Sequence, residues 1–555
     1  MRNEETDSVL SLFRDAGILV IAAGIVMLPI FVFGIPSGND LPEHYRFANA
    51  FKDSIANGHL IPSWSAAVNH GFGDVSVRFY PPMAYYLLAT AEFFTGSWYY
   101  GSKVVFLLLF FIGGLGIYLW TREYFDRVSS LTAGIVYMAL PYHVNQLFNA
   151  FLFAEFVAAA IVPFAFYSAV RLVREPGITS TISFGLSVAG IVLTHIPTTI
   201  ISVIGLAVYV SALLIMSKNR RAMIGYASGI TIALLTTSFY WIRVVSEIAY
   251  IKHAGQSFGS ADFDFRNNFL FSYFLNEGPE YWDRSLWFGD AMFLLTGMVA
   301  ASVFYLTTRN RSDGVRSIIF PPFLVLCVAV FFATPLSYPV WANLPGVSAI
   351  QFPFRWMSLA TIATAFLVAA GFSPTLDLLR SKHRPIGMIA AGSLALAVAF
   401  SIFQVMRPAR YSEMAIFETQ VSSFRTSESC ECWWPIWAKK EAFGNKAPVS
   451  SIDRKLIHLA GTPIDRTYSI SDGPAGPARF ALFYYPFWRA SIEGVERTIH
   501  PAADGTMEIQ LPENALDIRL NFQEPRLYLF ARFVSLVIFI VLLGIYAGVA
   551  YRRTS

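Results

Sequence analysis

Residues 16–46 read AGILVIAAGIVMLPIFVFGIPSGNDLPEHYR. The first part, Ala16 to Gly34, is an apolar run of about twenty residues, long enough to cross the ~30 Å hydrocarbon of a bilayer as one helix. The second part puts Asp40, Glu43, His44 and Arg46 into seven residues directly behind it. Charges at headgroup depth are costly without a partner or a task, so this stretch predicts a membrane-helix scaffold holding a polar loop. The loop runs on through Asn57-Gly58-His59-Leu60-Ile61-Pro62-Ser63-Trp64 and Gly71-Phe72-Gly73 to Phe79-Tyr80-Pro81-Pro82. A polar segment, Met1 to Asp15, precedes the run and no small-x-small cleavage site follows it, which points to an uncleaved first span.

Composition agrees over the whole chain. Of 555 residues, 55% are hydrophobic and 14% charged, with mean hydropathy +0.50, the profile of a polytopic membrane protein rather than a soluble domain. The net charge of +4 comes from short basic clusters scattered between apolar runs, which is no nucleic-acid footprint. Three cysteines, Cys327, Cys430 and Cys432, make no disulfide framework. A bridge across Cys430-Glu431-Cys432 is disfavoured by so short a loop, and two cysteines without clustered histidines make a poor zinc site.

Windows near the length of a span fall at 16–34, 103–120, 128–142, 153–170, 179–196, 198–216, 222–242, 286–307, 317–334, 355–374, 387–405 and 529–550, twelve in all. Arg122/Arg127, Arg171/Arg174, Lys218/Arg220/Arg221, Arg309/Arg311/Arg316, Arg380/Lys382/Arg384 and Arg552/Arg553 all fall on one side. The positive-inside rule makes that side cytoplasmic, with both termini on it, and places the long connections 35–102, 143–152, 243–285, 335–354 and 406–528 outside. Counting 81–96 as a span would reverse every later loop, so it reads as a helix lying in the outer interface, started by Pro81 and Pro82. In 406–528 the apolar runs shorten to strand length: Phe480 to Phe483, Ala490 to Ile492, Met507 to Leu511 and Ile518 to Phe522, broken by Asp472-Gly473-Pro474, Glu493-Gly494 and Asp504-Gly505. The expected architecture is an all-α membrane domain over 1–405, with its first outer loop at 35–102. A small β-rich extracytoplasmic domain over 406–528 follows, and then a last span and tail over 529–555.

Four constellations bear chemistry. Asp40 fits two roles: in Asp40-Leu41-Pro42-Glu43 it has the cap position of a helix, and as a carboxylate at the membrane edge it can take a proton from an attacking hydroxyl. His44 and Arg46 read either as snorkelling interfacial residues or as phosphate contacts, for which Arg offers a fixed fork of donors. Pro141-Tyr142-His143 with Asn145 leads to Glu155, an acid at the start of an apolar window, which is favoured by the helix dipole or kept for function. Gln351-Phe352-Pro353-Phe354-Arg355-Trp356 puts a cation at the N-terminal end of a window, against the dipole, where an anionic partner is expected. Loop 243–285 carries His253, Asp262, Asp264, Arg266, Glu277, Glu280 and Asp283, but at no metal-loop spacing. His195, before Pro197, reads as a packing residue at a kink. The chain has no Walker A loop, no GxSxG and no HExxH.

Together these motifs resemble the GT-C superfamily of integral-membrane glycosyltransferases, in particular the bacterial branch of 6-pyruvoyl-tetrahydropterin-synthase-related membrane proteins. The residues that carry the likeness are Asp40 with His44; Gly58-x-Leu60-x-Pro62-x-Trp64; Gly71-x-Gly73; Tyr80-Pro81-Pro82; Pro141-Tyr142 with Ala154-Glu155; Gln351-Phe352-Pro353-Phe354-Arg355; and Tyr484-Tyr485-Pro486-x-Trp488-x-Ala490-x-Ile492-x-Gly494. The resemblance implies a glycosyltransferase that takes sugar from a polyprenyl-phosphate donor on the outer face of a bacterial plasma membrane and passes it to a glycan, lipid or protein. It makes Asp40 the base and Glu155 a second acid, with Arg355, Arg46 and His44 on the donor phosphate and Glu43, Tyr80, Tyr142, His143 and Gln351 around the substrate. Relatives often carry Arg-Gly where this chain has Asn149-Ala150. No cofactor is implied; basic side chains can stabilise a departing phosphate, so a divalent metal is possible and not required. Two other functions fit the same scaffold, a flippase for lipid-linked glycans and a scaffold of an envelope assembly.

Overall fold

The computed structural model describes residues 2–254, 264–270, 313–344, 347, 350–447, 449–451, 454–515 and 517–554. The first apolar run forms α1 (Arg2–Val26) and a short α2 (Leu28–Phe33). They break at Met27, because Pro29 lacks an N–H and crowds the turn before it. Two residues later β1 (Ile35–Pro36) pairs antiparallel with β2 (Tyr411–Ser412), so the chain's late part returns to its first loop.

That loop is largely helical: α3 (Leu41–Ala56), a single turn α4 (Ser76–Phe79) and α5 (Met83–Thr95), the last closed by Gly96 in the left-handed conformation. The 13-residue α5 covers about 20 Å at 1.5 Å per residue, too short to cross a bilayer. It packs Tyr85 and Leu88 inward.

The bundle proper follows as α6 (Trp98–Arg122), α7 (Arg127–Ala139), α8 (Pro141–Phe148), α9 (Phe153–Arg174), α10 (Ile178–Val192), α11 (Ile196–Ser217), α12 (Arg220–Thr236) and α13 (Ser238–Glu247). It continues with α14 (Asp313–Ala333), α15 (Tyr338–Asn343), α16 (Met357–Arg380) and α17 (Arg384–Met406). After it come α18 (Met414–Phe424) and, beyond the β domain, α19 (Arg526–Thr554). Small residues let the helices touch: a Cβ on Gly134 of α7 would lie 2.7 Å from the Gly114 carbonyl of α6.

Among the described residues six helices are long and apolar enough to cross a membrane, or up to eight if each of two bent pairs is one span. The pairs are 220–236 with 238–250, bent by 69°, and 317–333 with 335–343, bent by 79°. Two of the twelve expected windows are shorter helices. Window 128–142 is the 13-residue α7, stopped at Leu140-Pro141, and 179–196 is the 15-residue α10. Window 286–307 lies outside the described residues.

The C-terminal part of the chain holds a β-rich domain, its two sheets spanning 449–522. One sheet has the order β3 (Val449–Ser451), β6 (Gly476–Phe483), β10 (Thr506–Leu511), β9 (His500–Pro501). The other has β4 (Leu456–Thr462), β5 (Asp465–Ile470), β11 (Asp517–Phe522), β7 (Trp488–Ile492), β8 (Val495–Arg497). All pairings are antiparallel. The four runs expected as strands lie within β6, β7, β10 and β11, and Glu493-Gly494, both with positive φ, closes the β7–β8 hairpin.

The inward residues of both sheets share one core with the first loop, through Trp64, Phe72, Val75 and Phe79. Trp64 meets Trp488 edge-on at 5.5 Å, and Phe72 packs 5.5 Å from Phe483. Gly73, at φ +74°, must be glycine here, since a Cβ would lie 2.3 Å from Trp64 Nε1. Beside this core Arg78, fully buried, donates through Nε and Nη2 to Glu247 (2.8 and 2.5 Å) and through Nη1 to Glu524 (2.5 Å). The Tyr485 hydroxyl also donates to Glu247, at 2.5 Å. Cys430 and Cys432 are joined by a disulfide, contrary to the sequence expectation; their Cα atoms stand 5.1 Å apart, within bridging reach even at this separation.

Candidate active site

Asp40 sits at the cap position of α3, as its motif requires, but its side chain makes no cap hydrogen bond. The backbone does the work instead: Asp40 N–H donates to the Ala150 carbonyl (3.2 Å) and His44 N–H donates to the Asp40 carbonyl (3.1 Å). The 149–152 turn is pressed against 38–40 so closely that a Cβ on Gly38 would lie 2.6 Å from the Asn149 carbonyl oxygen. Its Phe151 adopts φ +54°. The half-buried Asp40 carboxyl is thus left facing its neighbours. Burial pushes its pKa up to about 6, opposed by Arg355 and assisted by Glu43 and Glu155.

Glu155 stands in the first turn of α9 and is 1% exposed. Its Oε1 accepts from the Tyr142 hydroxyl (2.7 Å) and from Gln146 Nε2 (2.9 Å), both on α8. Its Oε2 faces Arg355 Nε at 3.5 Å with no hydrogen bond between them. The Arg355 side chain, 12% exposed, lies over the Phe352 ring at 4.5 Å. Gln351, at φ +64°, forms the turn that leads into this segment. Asp40, Glu155 and Arg355 therefore meet where α3, α9 and α16 begin. His195, within electrostatic reach of Arg355, stands at the cap position of α11 at the same place. Four helix N-termini, each the positive end of its dipole, favour an anion there.

Tyr80 closes one side. Its ring lies 5.7 Å from Trp433, 6.2 Å from His44 and 6.4 Å from His195, and its hydroxyl is within electrostatic reach of Asp40, Arg355 and Glu155. Behind it, Phe153 N–H donates to His44 Nε2 (3.1 Å), which leaves the ring hydrogen on Nδ1, donated to the Tyr85 hydroxyl (3.1 Å); Tyr85 bonds in turn to Tyr80.

Three sequence-predicted residues are placed elsewhere than expected. His44 is a neutral wall residue: both ring nitrogens are engaged, and burial pulls its pKa down to about 3, so no charge or donor remains for phosphate. Arg46 is an ion-pair partner of Glu43, and its Nε and Nη2 donate to Ser427 at 3.3 and 3.1 Å. His143 is a core residue stacked 4.6 Å from Tyr137, one bond behind the site through Gln146 (3.1 Å). Burial pulls its pKa down to about 4.

Gln146, Tyr85 and Trp433 went unnoticed in the sequence. Gln146 is legible afterwards, four residues from Tyr142 on one helix face, whereas Trp433 reaches Tyr80 from some 350 residues away and left no local signal. Among the described residues no three His, Cys, Asp or Glu side chains converge as metal ligands. The acids of 271–285 fall outside the described residues.

A profile described as "6-pyruvoyl-tetrahydropterin synthase related domain; membrane protein" matches residues 77–412, more than half of the chain and most of this site. The chain belongs to this family of membrane proteins. A stretch of 234 residues is 22% identical to an uncharacterized protein of Lactococcus lactis subsp. cremoris (strain MG1363), covering 40% of this chain and 38% of that protein.

Solved structures similar to this family member are integral-membrane glycosyltransferases of the GT-C type. ArnT from Cupriavidus metallidurans bound to undecaprenyl phosphate is 11% identical, TM-score 0.43, over 74% of this chain and 75% of that one. The mycobacterial arabinofuranosyltransferase AftD is 13% identical, TM-score 0.46, over 73% and 27%. The Archaeoglobus fulgidus oligosaccharyltransferase is 14% identical, TM-score 0.37, over 78% and 57%. The chain thus spans about half or less of two of these three.

Proposed function

We propose that this protein is a glycosyltransferase that moves a sugar from a polyprenyl-phosphate carrier to an extracytoplasmic glycan, lipid or protein at the outer face of a bacterial plasma membrane. The observation that carries the reading is Asp40, a carboxylate in the cap position that does no capping and faces the Glu155–Arg355 pair. With its pKa raised to about 6 by burial, it is ionised at neutral pH yet basic enough to accept a proton as the acceptor hydroxyl attacks. The acceptor oxygen bonds to the anomeric carbon while the bond from that carbon to the phosphate oxygen breaks, and the lipid leaves as a phosphate monoester anion. Arg355, oriented by Glu155 Oε2, and the converging helix N-termini stabilise that anion. Attack opposite the departing phosphate inverts the anomeric centre. Tyr142 and Gln146 hold Glu155 in place, Tyr80 walls the site, and no step requires a metal.

The test is sugar release from a panel of polyprenyl-phosphate sugars by protein in nanodiscs, wild type beside Asp40→Asn. Turnover of one donor by the wild type alone is the expected result. Specific binding of the lipid phosphate with no turnover of any donor would instead favour transport of lipid-linked glycans.

A further inference from the structure

The last span stands off from the bundle at one end. The first half of α19 is fastened to α13, where the Ser535 hydroxyl bonds to that of Ser238 (2.8 Å) and accepts from the Phe239 N–H (3.1 Å). Eleven residues on, about 16 Å at 1.5 Å per residue, Tyr546 faces α9 and α10 across a cavity of about 360 Å³. This is the opposite end of the bundle from Asp40: Arg171, in the lining, is sixteen residues along α9 from Glu155, about 24 Å away. The Tyr167 hydroxyl is within electrostatic reach of Arg171 and Tyr546. Among the described residues, the hydroxyls of Tyr167, Ser168, Thr179, Ser183 and Tyr546 line the cavity without a hydrogen bond to protein, although Ser168 is only 3% exposed. Unpaired buried hydroxyls cost free energy, so the cavity calls for a polar guest.

The charges define the guest. Around the cavity Arg171, Arg174, Lys218, Arg220 and Arg221 outnumber Glu123 and Glu175, because a bond from Asn219 Nδ2 to the Val173 carbonyl (3.0 Å) brings the 218–221 turn to this end of α9. Arg171 gives Nη2 to the exposed Glu175 (2.5 Å) and keeps Nη1 3.6 Å from Glu123, which leaves its Nε for a guest. α10 begins here with Gly177 at its cap position, so no side chain caps its first turn, and Thr179 and Ser180 of that turn line the cavity. An uncapped helix N-terminus beside hydroxyls and a guanidinium suits a phosphate. From Tyr546 the same face of α19 continues through the exposed Leu543 and Phe539, at three- and four-residue spacing, toward the middle of the span. Apolar surface thus runs on directly from the polar cavity, as a headgroup with acyl chains requires and a free phosphate does not. We propose that the cleft between α9, α10 and α19 holds the phosphate headgroup of an anionic phospholipid, in the leaflet opposite the candidate active site. The lipid seals the last span, which follows the β domain, to the bundle, a role independent of the transferase reading.

The test is native mass spectrometry of the full-length protein in detergent micelles, titrated with phosphatidylglycerol, phosphatidylcholine or glycerol 3-phosphate. Arg171→Gln keeps the cavity and removes its charge, and Tyr546→Phe takes one hydroxyl from the exposed side of α19; thermal melts check that both are folded. One phosphatidylglycerol per chain, held about tenfold more tightly than phosphatidylcholine, is expected. Its affinity should fall about tenfold in Arg171→Gln and about threefold in Tyr546→Phe. Retention of no lipid, equal affinity for phosphatidylcholine, affinity unchanged in both variants, or glycerol 3-phosphate bound as tightly as the lipid would overturn the proposal.

Discussion

An acid at a helix cap ordinarily accepts from the N–H groups of the first turn, and that bond holds its pKa low. Asp40 lacks the bond and is half-buried, so its pKa moves the other way, to about 6. Two measurements follow. The pH profile of kcat/KM should rise through about 6 to a plateau, and Asp40→Asn should lower the plateau by about 10²–10⁴-fold. Stability carries the opposite sign. Because the folded-state pKa lies above the ordinary 3.8, the contribution of this group is present when it is protonated and is lost as pH rises through about 6. Asp40→Asn should therefore melt level with the wild type near about pH 4 and above it near about pH 8. His44 separates structure from chemistry: His44→Ala orphans the Phe153 N–H and should cost about 1–3 kcal/mol in denaturant unfolding while leaving undecaprenyl phosphate affinity nearly unchanged. Arg355→Gln should lose about 10–100-fold in that affinity, the worth of a charge-assisted hydrogen bond.

At the scale of elements, what the sequence shows depends on how local the cause is. Asp40-Leu41-Pro42-Glu43 marks the start of α3 because an acid at the cap position, a proline and a first-turn acid all fall within four residues. The strands are legible because apolar residues recur at every second position in β7, β10 and β11 and fill the end of β6. β5, Asp-Arg-Thr-Tyr-Ser-Ile, buries only Tyr468 and Ile470 and looks like a loop until its partner β11 is beside it. α7 and α10 misled in the other direction: hydropathy measures apolar length, while Pro141 and the Thr194-His195 turn decide where the helix stops. In the site, Asp40, Glu155 and Arg355 were readable as charges at the ends of apolar windows. Gln146 and Tyr85 carry no charge, and the true duties of His44 and His143 are set by backbone and aromatic neighbours invisible in one dimension.

For the molecule as a whole, the strongest constraint joins distant segments. Arg78 bonds to Glu247 and Glu524, 169 and 446 residues away, with no exposure to solvent, and nothing in the sequence flagged it. Arg78→Met should destabilise by about 3–5 kcal/mol in denaturant titration, because the fully buried Glu247 loses its bidentate counter-ion while Glu524 keeps Arg532. Removing 406–528 should unfold the first loop as well, since Trp64, Phe72 and Phe79 belong to the core of the β domain. Protease susceptibility at residues 57–80 is the readout, so such a deletion cannot be read as loss of a binding module alone. The shared core also sets a timetable for biosynthesis. The loop leaves the ribosome roughly 440 residues before β11, its last packing partner. At ~5–20 residues per second, Trp64 and Phe72 wait about 20–90 s without a partner. The nascent chain is most open to proteases and to chaperone capture in that interval, before the two ends of the protein close on one another.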